Sequence, residues 1–143
     1  MPKRWKVLVS APYMLTCIDR FLPWCADHDI EPVIPSVEER LEEADLFGLV
    51  EDIDGAVCGD DRYPATVLDR APNLKVISKW GTGIDSIDSE AAERLAIIVS
   101  RTPGAFTEPV ADSVLGYLLS FARCIPWSTQ DLRDGRWFKR PGR

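Results

Sequence analysis

Histidine is almost missing from this chain of 143 residues. Its one copy, His28, stands between Asp27 and Asp29, which excludes a histidine-rich metal centre and marks an exposed helix end. Cysteine occurs four times, at Cys17, Cys25, Cys58 and Cys124, with no CxxC pair and no metal-type spacing. These thiols read as small buried apolar residues of a reducing compartment. No apolar run approaches the ~18 residues that a membrane span needs. The start, Met1-Pro2-Lys3-Arg4-Trp5, carries no long apolar segment of the secretory kind, so the expectation is a cytoplasmic protein. Basic charge is also in short supply. With 17 Lys and Arg against 23 Asp and Glu, the net charge of -6 argues against nucleic acid, whose phosphates demand a concentrated basic surface. Internal repeats and low-complexity segments are absent as well.

What the chain does have is an ordinary globular composition, 45% hydrophobic and 28% charged, and enough length to bury a substantial core. Apolar bursts alternate with helical patterns. The bursts at residues 5–10, 31–35, 55–58, 74–80 and 96–100 read as five strands. Residues 17–29, 37–50, 64–71 and 88–95 read as helices between them, with Pro64 near a helix start, where proline is tolerated. The densest acid, Glu38, Glu39, Glu42, Glu43 and Asp45, reads as the solvated face of the second of these helices. Strands that are apolar throughout and separated by helices predict a parallel sheet covered on both faces, wound by right-handed crossovers into a doubly wound α/β fold.

The pattern changes after Arg101. Thr102-Pro103-Gly104-Ala105-Phe106 reads as a loop. Thr107 reads as the N-cap of the longest helix, with Glu108 and Pro109 in its first turn. Val110, Val114, Leu118 and Phe121 form one side of that helix, and Leu115, Leu119 and Ala122 widen the stripe until it expects cover over most of its surface. A shorter helix, residues 127–133, ends at Gly135. The division expected is therefore 1–101, a sheet-bearing lobe, and 102–143, two crossover helices.

The most informative stretch is Gly81-Thr82-Gly83, which directly follows the fourth strand. A strand that stops at a glycine pair before a helix leaves backbone N–H groups without partners. Three readings stay open. One is a dinucleotide phosphate loop, although Ser86 replaces the third glycine of G-x-G-x-x-G, and Arg101 stands where an acid should end the next strand. Another is a tight turn with Asp85 and Asp88 capping the helix that follows. The third is a carboxylate-binding loop facing the crevice at the carboxyl edge of the sheet, lined also by Gly59-Asp60-Asp61-Arg62 and Arg101-Thr102-Pro103-Gly104. A phosphoacceptor domain is excluded, because Ser10-Ala11-Pro12-Tyr13 stands where its acidic pair belongs. Asp60-Asp61 reads as a helix cap in preference to a metal site, since adjacent side chains in such a loop diverge.

Three blocks, LKVISKWGTGIDSIDSEAAERL, RTPGAFTEPVADSVLGYLLSFAR and IPWSTQDLRDGRW, resemble the D-isomer-specific 2-hydroxyacid dehydrogenases, above all their phosphoglycerate dehydrogenase-like branch. The resemblance implies that the first part is a flavodoxin-like substrate lobe for a small 2-hydroxy or 2-oxo acid. It implies that Gly81, Thr82 and Gly83 form the loop whose amides take the substrate carboxylate, with Gly81 shaping the turn and Thr82 also touching the nicotinamide of NAD(P). It further implies that the helix of residues 107–123 crosses toward a cofactor domain and joins a homodimer or pairs with another subunit. Family members go on to a full dinucleotide fingerprint and then an arginine, an acid and a histidine that do the chemistry, and they close with a helix that returns to the first lobe. No catalytic residue is assigned within these 143 residues, and NAD(P) is not expected to bind them stably. The expectation is the substrate-binding portion of an oxidoreductase, inactive alone. A stand-alone acid-binding or regulatory module and a non-functional remnant are the alternatives. Two departures stand out: Cys58-Gly59 matches the place where phosphate-binding members often carry Arg-Ser, and Ala96 occupies the usual position of a helix-stopping glycine.

Overall fold

The computed structural model describes residues 4–142. Met1, Pro2, Lys3 and Arg143, which belong to the expected start and tail, lie outside the described residues. The chain divides into two compact units, Met1–Pro103 and Gly104–Arg143.

The first unit is built on five parallel strands: β1 (Trp5–Val9), β2 (Ile30–Val33), β3 (Gly55–Cys58), β4 (Val76–Lys79) and β5 (Ile98–Ser100), in the order β2-β1-β3-β4-β5. The register runs Leu8 against Ala56, Ala56 against Ile77, and Ile77 against Val99. Because side chains alternate along a strand, this row shares one face. Over it lie α3 (Glu43–Phe47), α4 (Ala65–Leu68) and α5 (Ser89–Arg94), and the main core forms there around Leu8, Leu46, Val67, Leu68 and Ile77.

The opposite face is covered only in part. Val9, Ala11 and Met14 pack with Val7, Phe21 and Val57 beneath α1 (Pro12–Leu15) and α2 (Leu22–Asp27). Farther along that face the register pair Val76 and Ile98 stays exposed, Ile98 by 67%. The expectation of two covered faces therefore holds for β1 and fails toward β5.

Local chemistry also redraws several helices. Residues 17–29 form no single helix: a 3₁₀ turn, Ile18–Arg20, is followed by α2, which restarts at Leu22. Pro23 explains the break, since proline donates no N–H and its ring clashes with the carbonyl four residues back, but it fits a first helical turn. Residues 37–42 are likewise not helical. The Leu41 N–H is taken by the Asp61 carboxylate at 2.6 Å, and Glu42 with Asp45 makes a reciprocal cap that starts α3 only at Glu43. Glu38 and Glu39 thus lie outside any helix.

In the second unit α6 (Thr107–Ala122) buries no residue, and α7 (Ile125–Arg133) follows. Phe106, not Thr107, is the N-cap of α6; Thr107 is its first helical residue and donates its N–H to Gly104 at 3.2 Å. Gly135, at φ 72°, terminates α7. Arg136 and Arg140 fold back onto the buried Asp131, whose carboxyl they hold below its usual range by hydrogen bonds, that of Arg140 first. None of the described helices is long and apolar enough to cross a membrane.

Candidate functional site

The carboxyl ends of β1, β3 and β4 meet at one edge of the first unit, and two neighbouring cavities open there. The larger, about 370 Å³, is lined among others by Tyr13, Glu38, Glu39, Asp60, Lys79 and Trp80. The smaller, about 210 Å³, is lined by Arg40, Asp60, Arg62, Gly83, Asp85 and Ser86. Asp60 borders both. The edge thus joins the glycine loop to the loop after β3, and β5 closes it on the other side.

Hydrogen bonds orient the glycine loop. The Gly81 carbonyl accepts from the Thr102 N–H at 2.9 Å, and the Thr82 carbonyl accepts from Arg101 Nη1 at 3.1 Å. Both partners stand at the end of β5. Every described peptide bond is trans, so each N–H points opposite to the carbonyl of the preceding residue. The amide of Thr82 therefore points away from the end of β5, and that of Gly83 away from the Arg101 guanidinium. Among the described residues no acceptor takes either one. The third amide of the loop is used differently: Gly81 donates to the Lys79 carbonyl at 2.9 Å.

Gly81 has to be glycine. Its φ of +156° is rarely adopted by L side chains, and an added Cβ would meet Lys79 Cε at 3.3 Å. Gly83 is not so constrained, because a Cβ there would meet only Asp85 Oδ2 at 3.5 Å. The helix after the loop opens at Ser89, capped by Asp88, which accepts the Ala91 N–H at 2.9 Å. Asp85 makes no cap. No helix N-terminus therefore sits behind Gly81–Gly83, and the pyrophosphate cradle of a dinucleotide loop, which depends on one, is not formed. The open amides are a product of loop geometry alone. The Gly81–Gly83 loop therefore does not fit the phosphates of NAD(P).

Beneath the loop after β3 lies a buried polar knot that spacing did not disclose. Asp60 and Asp61 diverge as adjacent side chains should, yet neither caps α4, whose N-cap is Pro64. Asp61 is fully buried, accepting from Ser10 Oγ at 2.5 Å and from the Leu41 N–H. Burial pushes its carboxyl above the usual range, and the bonds from Ser10, Leu41 and Gly59 pull back against that shift. Burial also drives the neighbouring Cys58 thiol up to about 12, with Asp61 adding to the effect, and raises the Tyr63 hydroxyl. Tyr63 Oη and Ser86 Oγ are buried without a hydrogen-bond partner among the described residues.

Lys79 was passed over in the sequence because it ends an apolar strand. By alternation it follows Ile77 on the core-facing row, and only 4% of it is exposed. A buried ammonium needs partners. It finds the Gly59 carbonyl at 2.5 Å and the carboxylate of Asp60.

Elsewhere, His28 caps the end of α2 in an exposed position and its Nδ1 lies 2.8 Å from the Trp24 carbonyl. Cys25 and Cys58 are buried, Cys17 and Cys124 half-buried, and all four are free thiols. Among the described residues no cluster of His, Cys, Asp or Glu could hold a metal ion.

Residues 9–135 match the family model of the D-isomer specific 2-hydroxyacid dehydrogenase catalytic domain. The glyoxylate reductase of Thermofilum pendens is 37% identical over 119 residues, which is 80% of this chain and 33% of that protein. Among solved structures, the TT0316 protein of Thermus thermophilus superposes with a TM-score of 0.77 at 34% identity, over 94% of this chain and 42% of its own. The NADPH-dependent glyoxylate/hydroxypyruvate reductase of Sinorhizobium meliloti, solved with NADP and malonate, gives 0.71 at 30% identity, over 94% and 40%. The chain spans less than half the length of each of these relatives.

Proposed function

The chain belongs to the D-isomer specific 2-hydroxyacid dehydrogenase family, and on that premise we propose that its sheet-bearing lobe, residues 1–101, is a receptor for the carboxylate of a small 2-hydroxy or 2-oxo acid. The observation that carries the reading is the pair of N–H groups on Thr82 and Gly83, unclaimed among the described residues, with Gly83 lining the smaller cavity at the sheet's carboxyl edge. Two adjacent N–H donors suit the oxygens of a carboxylate, and charge-assisted bonds of this type are the stronger kind. Gly81 shapes the turn, and Arg101 with Thr102 holds the loop's carbonyls off the ligand. The Sinorhizobium meliloti reductase, solved with NADP and malonate, fits an acid-binding, nicotinamide-dependent family.

Residues 102–143, with α6 and α7, are the crossover segment toward the part of the family's architecture that holds the cofactor. Oxidation of a 2-hydroxy acid needs an acceptor held against the carbon and a group that takes the hydroxyl proton. Among the described residues neither is assigned, so the role proposed for residues 1–101 is binding, and turnover by these residues alone is not expected. Amide-resolved NMR titration with glycolate, glyoxylate and D-glycerate tests both halves. Shifts should centre on Thr82 and Gly83, and Gly83→Val, whose Cβ would meet only Asp85 Oδ2 at 3.5 Å, should abolish them. NAD(P)-dependent oxidation by the pure chain, or shifts indifferent to Gly83→Val, would refute the reading.

A further inference from the structure

Residues 37–42 make no helix or strand of their own, yet they bring Arg40 to the 210 Å³ cavity that Gly83 also lines. Two bonds from the loop after β3 hold them there. The Leu41 N–H is taken by the Asp61 carboxylate at 2.6 Å, and the Leu41 carbonyl accepts from the Arg62 N–H at 3.0 Å. Asp61 is itself anchored, since it is fully buried and Ser10, just past β1, donates to its other oxygen. The peptide unit that Asp61 grips joins Arg40 to Leu41, so the root of the Arg40 side chain is fixed relative to the sheet. Glu42 then aims the guanidinium, accepting from its Nε at 2.6 Å. The two terminal nitrogens have no hydrogen-bond partner among the described residues, and an arginine held by Nε keeps them for an oxyanion. Asp60 is paired with Lys79, which leaves Asp85 as the one lining carboxylate that opposes an incoming acid.

We propose that Asp61 is a positioning residue of the acid site: by taking the Leu41 N–H it seats Arg40 where the guanidinium's terminal nitrogens meet the carboxylate held by the Gly83 amide. The inference rests on the reading that this amide takes the carboxylate, and it adds a charged partner and the buried group that places it. In Asp61→Ala the Arg62 bond still tethers Leu41, but residues 37–42 lose one of two ties and Arg40 leaves its seat for part of the time. Asparagine can stand in for Asp61. Its carbonyl accepts from Leu41, its amide donates to Ser10 Oγ, and the Ser10 hydroxyl turns to the Val57 carbonyl, 3.5 Å away.

Glycolate is the probe, because little of it extends beyond the carboxylate. Its dissociation constant is read on the intact chain from the Gly83 amide shift. Arg40→Gln and Asp61→Ala should each weaken binding roughly fivefold and flatten its dependence on salt, whereas Asp61→Asn keeps the parent value. The double variant Arg40→Gln, Asp61→Ala should bind no worse than Arg40→Gln alone, the mark of two residues acting as one. A second measurement needs no variant. Saturating glycolate should slow hydrogen exchange at the Leu41 amide relative to that of core Leu8, since binding and latching favour each other. An unchanged constant in Arg40→Gln, losses that multiply in the double variant, Asp61→Asn as weak as Asp61→Ala, or Leu41 exchange indifferent to glycolate overturns the proposal and leaves the carboxylate reading standing. If Asp61→Ala does not fold, the Arg40→Gln constant and the Leu41 exchange decide alone. If glycolate never moves the Gly83 amide, the carboxylate reading has failed and takes this one with it.

Discussion

Ala96 offers the cleanest perturbation in the molecule. It follows α5 and Leu95 with φ at 57°, the left-handed region in which a side chain's Cβ crowds the backbone. The surrounding bonds define why the chain turns there. The Ala96 N–H donates to Glu93 at 3.0 Å, and the Ile97 N–H donates to Ala92 at 2.8 Å. Those are the two bonds of a Schellman ending, and its apolar partners, Ile97 and Ala92, are both buried. The motif is fully formed with a residue that does not suit it. Left-handed backbone costs a non-glycine residue roughly 1–2 kcal/mol. Glycine returns part of that through its freer unfolded state, about 0.4–1 kcal/mol. Ala96 is exposed, so its methyl contributes little packing to lose.

Ala96→Gly should accordingly raise stability by about 0.5–1 kcal/mol, close to 4 °C in Tm for a unit of this size. Urea unfolding should show the midpoint rising at unchanged slope, the signature of a native-state effect. Ala96→Val, with a branched Cβ in the same strained region, should move the midpoint down. Asp29, also at φ 55°, gives an internal comparison, because aspartate visits this region with a local hydrogen bond to help. An Ala96→Gly midpoint equal to or below that of the parent would refute the reasoning, since it would mean that the turn after α5 is not left-handed in solution.

The remaining expectations concern Asp61 and α6. Asp61 has a folded-state pKa above its unfolded one, so the stability it contributes is fully present below the unfolded value of 3.8 and is lost as pH rises through the folded value. Asp61→Asn, which keeps an acceptor for Leu41, should flatten that dependence, seen as a smaller gain in urea midpoint as pH falls from 7 toward 3.8. An equal gain in both proteins would place the titration elsewhere. On α6, Val110, Val114, Leu118 and Phe121 are exposed by 52–63%. A row of that kind is expected to pair with a second helix. Sedimentation velocity should show self-association that Leu118→Glu removes, and a concentration-independent monomer in the parent would defeat the idea.

The strands were legible because they are short, apolar runs bounded by Gly, Pro and Asp, and the parallel order follows from the helical patterns between them. The glycine loop was legible for a similar reason, since few residues other than glycine can end β4 as Gly81 does. Helix starts were not, and each case has a distinct cause. Pro23 cut one helix in two, a local effect visible in the chain but outweighed by the apolar spacing around it. Residues 37–42 are kept out of the helix with the help of Asp61, which takes the Leu41 N–H from twenty residues away, and no local pattern carries that information.

The same limit governs the site. Spacing could place the Thr82 and Gly83 amides at the sheet edge, but their direction depends on Arg101 and Thr102 taking the neighbouring carbonyls. Lys79 and Asp60 are an extreme form of the problem. A lysine on the core-facing row of a strand looks like an error in apolar patterning until its partner in another loop is known. Asp60 in turn looks like a solvated turn residue until that ammonium is found beside it. Burial converts the two into a single element, because the lysine cannot leave and the aspartate can. The pair itself exists only once β3 and β4 lie side by side, with Cys58 against Lys79 in register.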